Sequence, residues 1–216
     1  MIISEMMTTD VATVTEDASL SKAFQILHDR RHKVLPVVCE GKLVGLLSEK
    51  LLAEVKPSKA TSLSMHEISY LMSRTKVRDV MLKLEEVFFT NPDALVEDAA
   101  LSMYTHDIGS LPVVLADKTL VGIITQTDIF KSFIALMGVN HNGTRFSLDV
   151  PNDVGVVGKI ANLTAASGIN INHIGNYDKG NGRHEIVLRV DTLNAKELAK
   201  IFDEAEITVS DIRKFE

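Results

Sequence analysis

The 216-residue sequence predicts a mixed α+β (α/β) architecture: two tandem β-α-β-β-α units followed by a smaller β-α-β-β-α-β domain. Three observations carry this reading. The first two-thirds of the chain repeats itself, its apolar residues alternate between strand and helix spacing in the same order in both copies, and a different strand-helix order begins near Gly143.

The duplication is explicit. MMTTDVATVTEDASL, from Met6, aligns without a gap on MLKLEEVFFTNPDAL, from Met81, at an offset of 75. Ala23 to Val38 then aligns with Ala99 to Val114 at offset 76, sharing Leu-Pro-Val-Val, and Leu43-Val44-Gly45 aligns with Leu120-Val121-Gly122 at offset 77. Each copy reads as an extended Thr/Val-rich segment, a helix, two short apolar strands and a second helix. In the first helix Leu20, Ala23, Phe24 and Leu27 fall at i, i+3, i+4 and i+7. Cys39-Glu40-Gly41-Lys42 joins Val34–Val38 to Leu43–Leu47 as a glycine-containing hairpin, and the proline inside each first strand predicts an edge or strand-start position. Between the copies, Ser64-Met65-His66-Glu67 is a capping box, and Ile68, Leu71 and Met72 continue an apolar stripe that would brace the two copies.

From Gly143 the pattern changes. Phe146, Leu148 and Val150 alternate with Arg145, Ser147 and Asp149 as in a half-buried strand, and Val156, Ile160 and Leu163 recur at helical spacing up to a stop at Gly168. Ile169 and Ile171 open a second strand, Asp178 to Gly182 is a turn, and Ile186, Leu188 and Val190 alternate in a third. Leu198, Ile201, Phe202 and Ala205 form another helical stripe before a last short strand at Ile207 and Val209. That order is the ferredoxin-like split unit. The resulting divisions are repeat one at 1–60, a linker helix at 61–78, repeat two at 79–137, a linker at 138–143 and the C-terminal domain at 144–216.

Composition narrows the function. With 45% hydrophobic and 24% charged residues and a net charge of −6, disorder and fibre are excluded. Up to residue 142 there are 14 basic against 18 acidic residues, and beyond it 9 against 11, so neither part offers a cationic surface for bulk nucleic-acid or anionic-membrane binding. No apolar run is long enough to cross a bilayer, and acids stand at the N-terminus where a signal peptide carries positive charge, which predicts a cytoplasmic protein. Cys39 is the sole cysteine, expected as a reduced, buried thiol. His28 and His32 lack the adjacent glutamate of a zinc-protease motif. GVNHNGT at 138–144 has Thr144 where a phosphate-binding loop needs lysine, and Gly155-Val156-Val157-Gly158 is too short for a dinucleotide fingerprint. No catalytic constellation emerges, and no enzyme is expected.

The duplicated Leu-Pro-Val-Val, the Leu-Val-Gly step and Gly122-Ile123-Ile124-Thr125-Gln126-Thr127-Asp128 resemble tandem cystathionine-β-synthase (CBS) domains. The C-terminal segment, through Asp153-Val154-Gly155 and Gly168-Ile169-Asn170-Ile171, resembles an ACT domain, departing from it at Val154, where that family usually places proline. The whole order is similar to the AcuB type of acetoin-utilization protein. The resemblance implies a regulatory homodimer that senses an adenine nucleotide (AMP, ADP or ATP, with or without Mg²⁺) and requires no other cofactor. It also implies site residues. Thr125 and Asp128 would hold the ribose, with Gly122 allowing close backbone approach, and Arg30, Arg31, His32 and Lys33 would meet the phosphates. Phe89, Thr90, Ile108, Leu111 and Pro112 would wall the adenine, and Asn152, Asp153, Gly155 and Asn170 would hold a small amino acid in the ACT domain.

The residue types suit those roles: a carboxylate accepts both hydroxyls of a ribose diol, and unpaired amides at a helix start attract a carboxylate. Each has a plainer alternative. Thr125 and Asp128 also make a capping box; Arg30 to Lys33 also complement a helix C-terminus; the adenine-wall residues also serve as core; the ACT residues also serve an interface used only for dimerisation. Repeat one has Leu51 where repeat two has Asp128, which predicts one competent cleft and one impaired. Two other function classes stay open: an enzyme whose site is assembled between subunits, and a structural module with empty clefts.

Overall fold

Strand β1 (Val14–Thr15) opens the first repeat and runs parallel to β2 (Val34–Cys39), which pairs antiparallel with β3 (Lys42–Ser48). The computed structural model describes residues 1–30, 33–55 and 64–215. Between β1 and β2, helix α2 (Leu20–Arg30) starts on Ser19, whose Oγ accepts from the Lys22 amide at 3.3 Å. Its buried face is the expected stripe: Leu20, Ala23 and Leu27 are buried with Leu35, Val37 and Leu47. The hairpin turns on Glu40 and Gly41, both at positive φ (50° and 78°), as a two-residue turn between twisted strands requires. Helix α3 (Glu49–Val55) closes the repeat.

Repeat two follows the same plan with α5 (Val96–His106), β5 (Ser110–Val114), β6 (Leu120–Thr125) and α6 (Gln126–Leu136). Thr90 bridges Val113 in parallel, as β1 bridges β2. The two hairpins meet at their turns, where the Leu43 amide donates to the Lys118 carbonyl (2.9 Å) and the Leu120 amide to the Gly41 carbonyl (3.0 Å).

Each repeat is completed by a segment that precedes the other in sequence. Helix α1 (Ile3–Met6) lies in repeat two: Ile3, fully buried, packs among Val96, Ala99, Met103 and Leu111, its amide donates to the Ala94 carbonyl, and Thr8 bridges Ile123. Conversely, after helix α4 (Met65–Arg74), Val77 is buried in the core of repeat one, and β4 (Leu82–Lys83) adds to β3 as the fourth strand of its sheet. The box at the start of α4 forms as expected, the Glu67 amide donating to Ser64 Oγ (3.3 Å) and the Ser64 amide to Glu67 Oε2 (2.7 Å). Along its stripe Ile68 and Met72 are half-buried, whereas Leu71 is exposed.

Two local expectations are corrected. Cys39 is exposed, not buried, because it stands at the last position of β2 beside the hairpin turn. The proline strand β2 is interior rather than an edge, flanked by β1 and β3; Pro36 is tolerated because β1 reaches only Val37 and Val38, so it lies beyond the end of that short ladder.

The chain divides into two compact units, with the boundary after Phe130, inside α6 and ahead of the 138–143 linker suggested by sequence. In the second unit the last turn of α6 meets His173, whose Nδ1–H donates to the Leu136 carbonyl at 2.7 Å. The unit then runs β7 (Gly143–Pro151), α7 (Val156–Ala166), β8 (Ile171–Gly180), β9 (Arg183–Val190), α8 (Ala195–Glu204) and β10 (Thr208–Phe215). Its antiparallel sheet has the order β10-β7-β9-β8, the ferredoxin-like arrangement. Phe146, Leu148, Val150, Ile186 and Leu188 bury one sheet face against Ile160, Leu198 and Phe202 of the two helices. The other face of central strand β7 is more covered than a half-buried strand would be: Ser147 is buried, and Arg145 and Asp149 are half-buried.

Candidate functional site

The segment from β6 into α6 places the ribose candidates. Thr125 ends the strand and Asp128 lies in the first helical turn. Asp128 Oδ2 accepts from the Thr125 amide at 3.0 Å and from Thr125 Oγ1 at 2.7 Å, while the Asp128 amide donates back to Thr125 Oγ1 at 3.4 Å. The plainer alternative, a capping box, is therefore realised in full, and it holds a carboxylate at the opening of a helix where the macrodipole favours negative charge. Asp128 is only 6% exposed.

The same junction in repeat one has half the device. The Leu51 amide donates to Ser48 Oγ at 3.1 Å, but Leu51 returns no acceptor. Both helix starts are tied to the strand across the hairpin in the same way, the Gln126 amide to the Gly109 carbonyl (3.0 Å) and the Glu49 amide to the Lys33 carbonyl (2.9 Å). The cap in repeat one lacks the acid that returns a bond to the strand end in repeat two.

Of the expected adenine wall, Ile108 lies at the second junction, whereas Thr90 and Phe89 lie further along the β5–β6 hairpin. Thr90 is held to β5 by its amide on the Pro112 carbonyl and its carbonyl under the Val114 amide, each at 2.9 Å. Ile108 is half-buried, its carbonyl accepting from Gln126 Nε2 at 3.5 Å. Phe89 is 37% exposed, with Lys118 Nζ 4.0 Å from its ring centroid, a cation–π pair in water. Leu111 departs from the expectation: it faces Ile124 across the hairpin and both are sealed in the repeat-two core, so its side chain has no surface to offer a base.

Gly122 is a second correction. A Cβ there would meet Met7 Sδ at 2.5 Å and the Thr8 carbonyl oxygen at 3.1 Å, so the glycine accommodates the exchanged N-terminal segment rather than a ligand. Among the phosphate candidates Lys33 is exposed; Arg31, His32 and the Arg30 side chain lie outside the described residues.

The four ACT candidates do not form one site within a chain. Asn152, Asp153 and Gly155 follow the end of β7, where Pro151 pairs with Arg183 and the Asn152 amide donates to the Gly182 carbonyl. Asn170 precedes β8, where Ile171 pairs with Val190 and the Asn170 amide donates to Asp191 Oδ1 at 3.1 Å. Those places are seven residues apart along β9, roughly 23 Å at the rise of an extended strand. The reason is topological: the helical crossover returns the chain to the opposite end of the sheet before a parallel strand starts.

Spacing did not single out Arg145, Arg189 and Arg213, which the sheet register sets side by side: Arg213 opposite Arg145 and Arg145 opposite Arg189. Their nearest local signal is the polar alternation of β7, which does not reveal the partners. Among the described residues no group of three or more His, Cys, Asp or Glu is placed to hold a metal ion, and no helix is long and apolar enough to cross a membrane.

Comparison with known proteins matches residues 3–57 and 77–135 to the CBS domain family model. An uncharacterized protein of Methanocaldococcus jannaschii is 33% identical over 132 residues, 61% of this chain and 44% of that protein. The chain spans less than half the length of the first curated relatives it matches. Among solved structures, a proposed acetoin utilization protein (AcuB) of Vibrio cholerae is 29% identical, covering 65% of this chain and 95% of its own, with a TM-score of 0.52. The Arabidopsis thaliana protein CBSX2 in complex with AMP is 25% identical, covering 62% and 96%, with a TM-score of 0.51.

Proposed function

The chain belongs to the CBS-domain family, and from that premise we propose that its paired repeats bind an adenine nucleotide as a regulatory signal, with Thr125 and Asp128 holding the ribose. The observation that carries the reading is the asymmetry between the two helix starts: a carboxylate on Thr125 in one copy, and Leu51 in the other. A ribose diol donates to the carboxylate that otherwise accepts from Thr125, exchanging one set of charge-assisted bonds for another. The AMP complex of CBSX2 supports the ligand class. In this proposal Phe89, Thr90 and Ile108 would meet the base, and Lys33 and its neighbours would supply charge for phosphate.

The mechanism is linkage. A nucleotide that binds one arrangement of the repeats more tightly shifts the population toward it, with no chemical step in this chain. The ferredoxin-like unit acts in this proposal as an ACT-like module for dimerisation or amino-acid sensing; since its candidate residues stand at opposite ends of the sheet, an amino-acid site there needs a second chain. Leu101, Tyr104 and Phe130, exposed large apolar side chains, support a homodimer. Likeness to the Vibrio cholerae AcuB makes acetoin utilization the pathway to test, in a cytoplasmic setting.

The test is calorimetric titration of AMP, ADP and ATP, with and without Mg²⁺, into wild type, Asp128→Ala and Leu51→Ala. The reading expects binding weakened at least about tenfold by Asp128→Ala, the loss of a charge-assisted pair, and little changed by Leu51→Ala. Equal effects, or no binding to wild type, overturn it. The second reading, a structural module, is favoured by the closure of Asp128 on Thr125, and absence of any heat from the three nucleotides is its signature.

A further inference from the structure

We infer that the helix-free face of the second unit's sheet carries a small-anion site, in which Arg189, with Arg145 beside it and Arg213 one strand further along the row, grips a carboxylate or phosphate group. The register sets Arg213, Arg145, Arg189 and His173 directly opposite one another across all four strands. Like charges in facing cross-strand positions repel, so a row of three guanidiniums lowers stability unless counter-charge sits among them.

The acids nearby are committed elsewhere. Asp211 serves the other two arginines, 2.8 Å from Arg213 Nε and 3.6 Å from Arg145 Nη1. Asp149 faces Arg183 at 3.1 Å and Lys179 at 3.9 Å, and Glu185 faces Lys179 at 3.8 Å while accepting from the Tyr177 hydroxyl. Among the described residues the row has one carboxylate for three guanidiniums, and the member without an acid partner there is the buried one.

Arg189 is 9% exposed, and its Nε is buried with no hydrogen-bond partner among the described residues. Among the described residues the Phe215 ring lies against it, 4.7 Å from Cζ to the centroid. A buried guanidinium with unmet donors is costly, and both burial and the Arg145 charge pull its pKa below the ordinary arginine value. At the end of the row His173 has a buried Nε2 that also lacks a partner among the described residues, while its Nδ1–H donates to the Leu136 carbonyl.

The space for a counter-ion is present. Arg145, Arg189, Arg213 and Phe215 line an open hollow of about 290 Å³, at the small end of the range of ligand sites. The planar guanidinium fork matches the oxygens of carboxylate and phosphate alike, and Phe215 offers an apolar wall to whatever bears them. This site is independent of the nucleotide proposal, which concerns the other unit.

The probes are inorganic phosphate and succinate, each added to the intact protein against sodium chloride at matched ionic strength, read by thermal unfolding and by calorimetry. At least one raises the midpoint saturably beyond chloride, and the one that does identifies the head group. Arg189→Met and Arg213→Gln each abolish that excess or weaken binding at least about tenfold, the worth of one charge-assisted pair. Arg213 is an outer, exposed member, so its substitution keeps the test usable if Arg189→Met does not fold. Because inorganic phosphate also has Lys33 and its neighbours in the other unit, retention of the full effect in Arg213→Gln assigns the binding there and overturns the inference. So does the absence of any midpoint shift beyond chloride.

Discussion

Met7 fills the space that a side chain on Gly122 would need, its sulfur 2.5 Å from the position of a Cβ there. Repeat one has the mirror relationship, with the Leu82 carbonyl oxygen 2.5 Å and Met81 Sδ 2.8 Å from the corresponding position on Gly45. The two glycines of the duplicated Leu-Val-Gly step are thus the seats on which the exchanged segments rest, and the exchange locks two otherwise similar units into one pair.

The pair of seats predicts unequal penalties. At Gly122 the nearest atom is the movable end of a methionine, whereas at Gly45 it is backbone. Gly122→Ala should cost about 1–3 kcal/mol as an overpacking change, and Gly45→Ala more. Chemical denaturation of the two variants checks the ranking, and a reversed order would mean that the segments are seated less firmly than the contacts indicate.

Ile3 tests the exchange from the other side. It is fully buried in the core of repeat two although it precedes repeat one in the chain. Ile3→Ala should therefore cost about 2–5 kcal/mol and loosen α5, not α2. Hydrogen exchange resolves this: amides of Val96–His106 should lose protection while those of Leu20–Arg30 keep theirs. Loss confined to α2 would contradict the assignment.

Asp128 and Leu51 allow a gain as well as a loss. Leu51→Asp would let repeat one close on Ser48 as Asp128 closes on Thr125, returning a bond to the strand end. If an acid at this position grips ribose, the calorimetric stoichiometry for the preferred nucleotide should rise toward two per chain. Asp128→Ala should also cost roughly 0.5–2 kcal/mol without any ligand, through the lost cap. A Leu51→Asp variant with unchanged stoichiometry would leave the acid as a capping device only.

Acid should act on the second unit through two carboxyls. The Tyr177 hydroxyl, with Lys179 and Arg145 nearby, holds Glu185 below the ordinary glutamate value, and Arg183 does the same for Asp149. Their folded values lie under their unfolded ones of about 4, so their contribution is complete above that pH and is lost as pH falls through the lowered folded values. Urea midpoints followed by circular dichroism between about pH 6 and pH 3 should fall, with a shallower slope in Glu185→Gln. An unchanged slope in that variant would remove Glu185 from the account.

Much of this was legible in the order of residues. The repeat is visible because duplicated sequence keeps its Leu-Pro-Val-Val and Leu-Val-Gly in register. The boxes at Ser64 and Thr125 are visible because a cap joins residues three apart, and the structure makes both sets of bonds. The ferredoxin-like order is visible because its strands and helices differ in apolar period. Less visible was anything that depended on a distant partner. The apolar neighbours of Cys39 in sequence predict burial, but exposure at a strand end depends on what packs beside it. Leu111 is a pocket-wall candidate only by family resemblance, and Ile124, facing it across the hairpin, places it in the core.

Spacing and composition decided which stretches are strands, which are helices, and where a helix begins, since those are contests settled within one turn or one hairpin. Tertiary structure alone decided that residues 1–8 finish repeat two, that Asn152 and Asn170 stand at opposite ends of a sheet, and that three arginines from three strands share a row. Each of these is a matter of pairing between segments far apart in the chain. A shift of one residue in register would turn every one of those side chains to the other face while leaving the local patterns untouched.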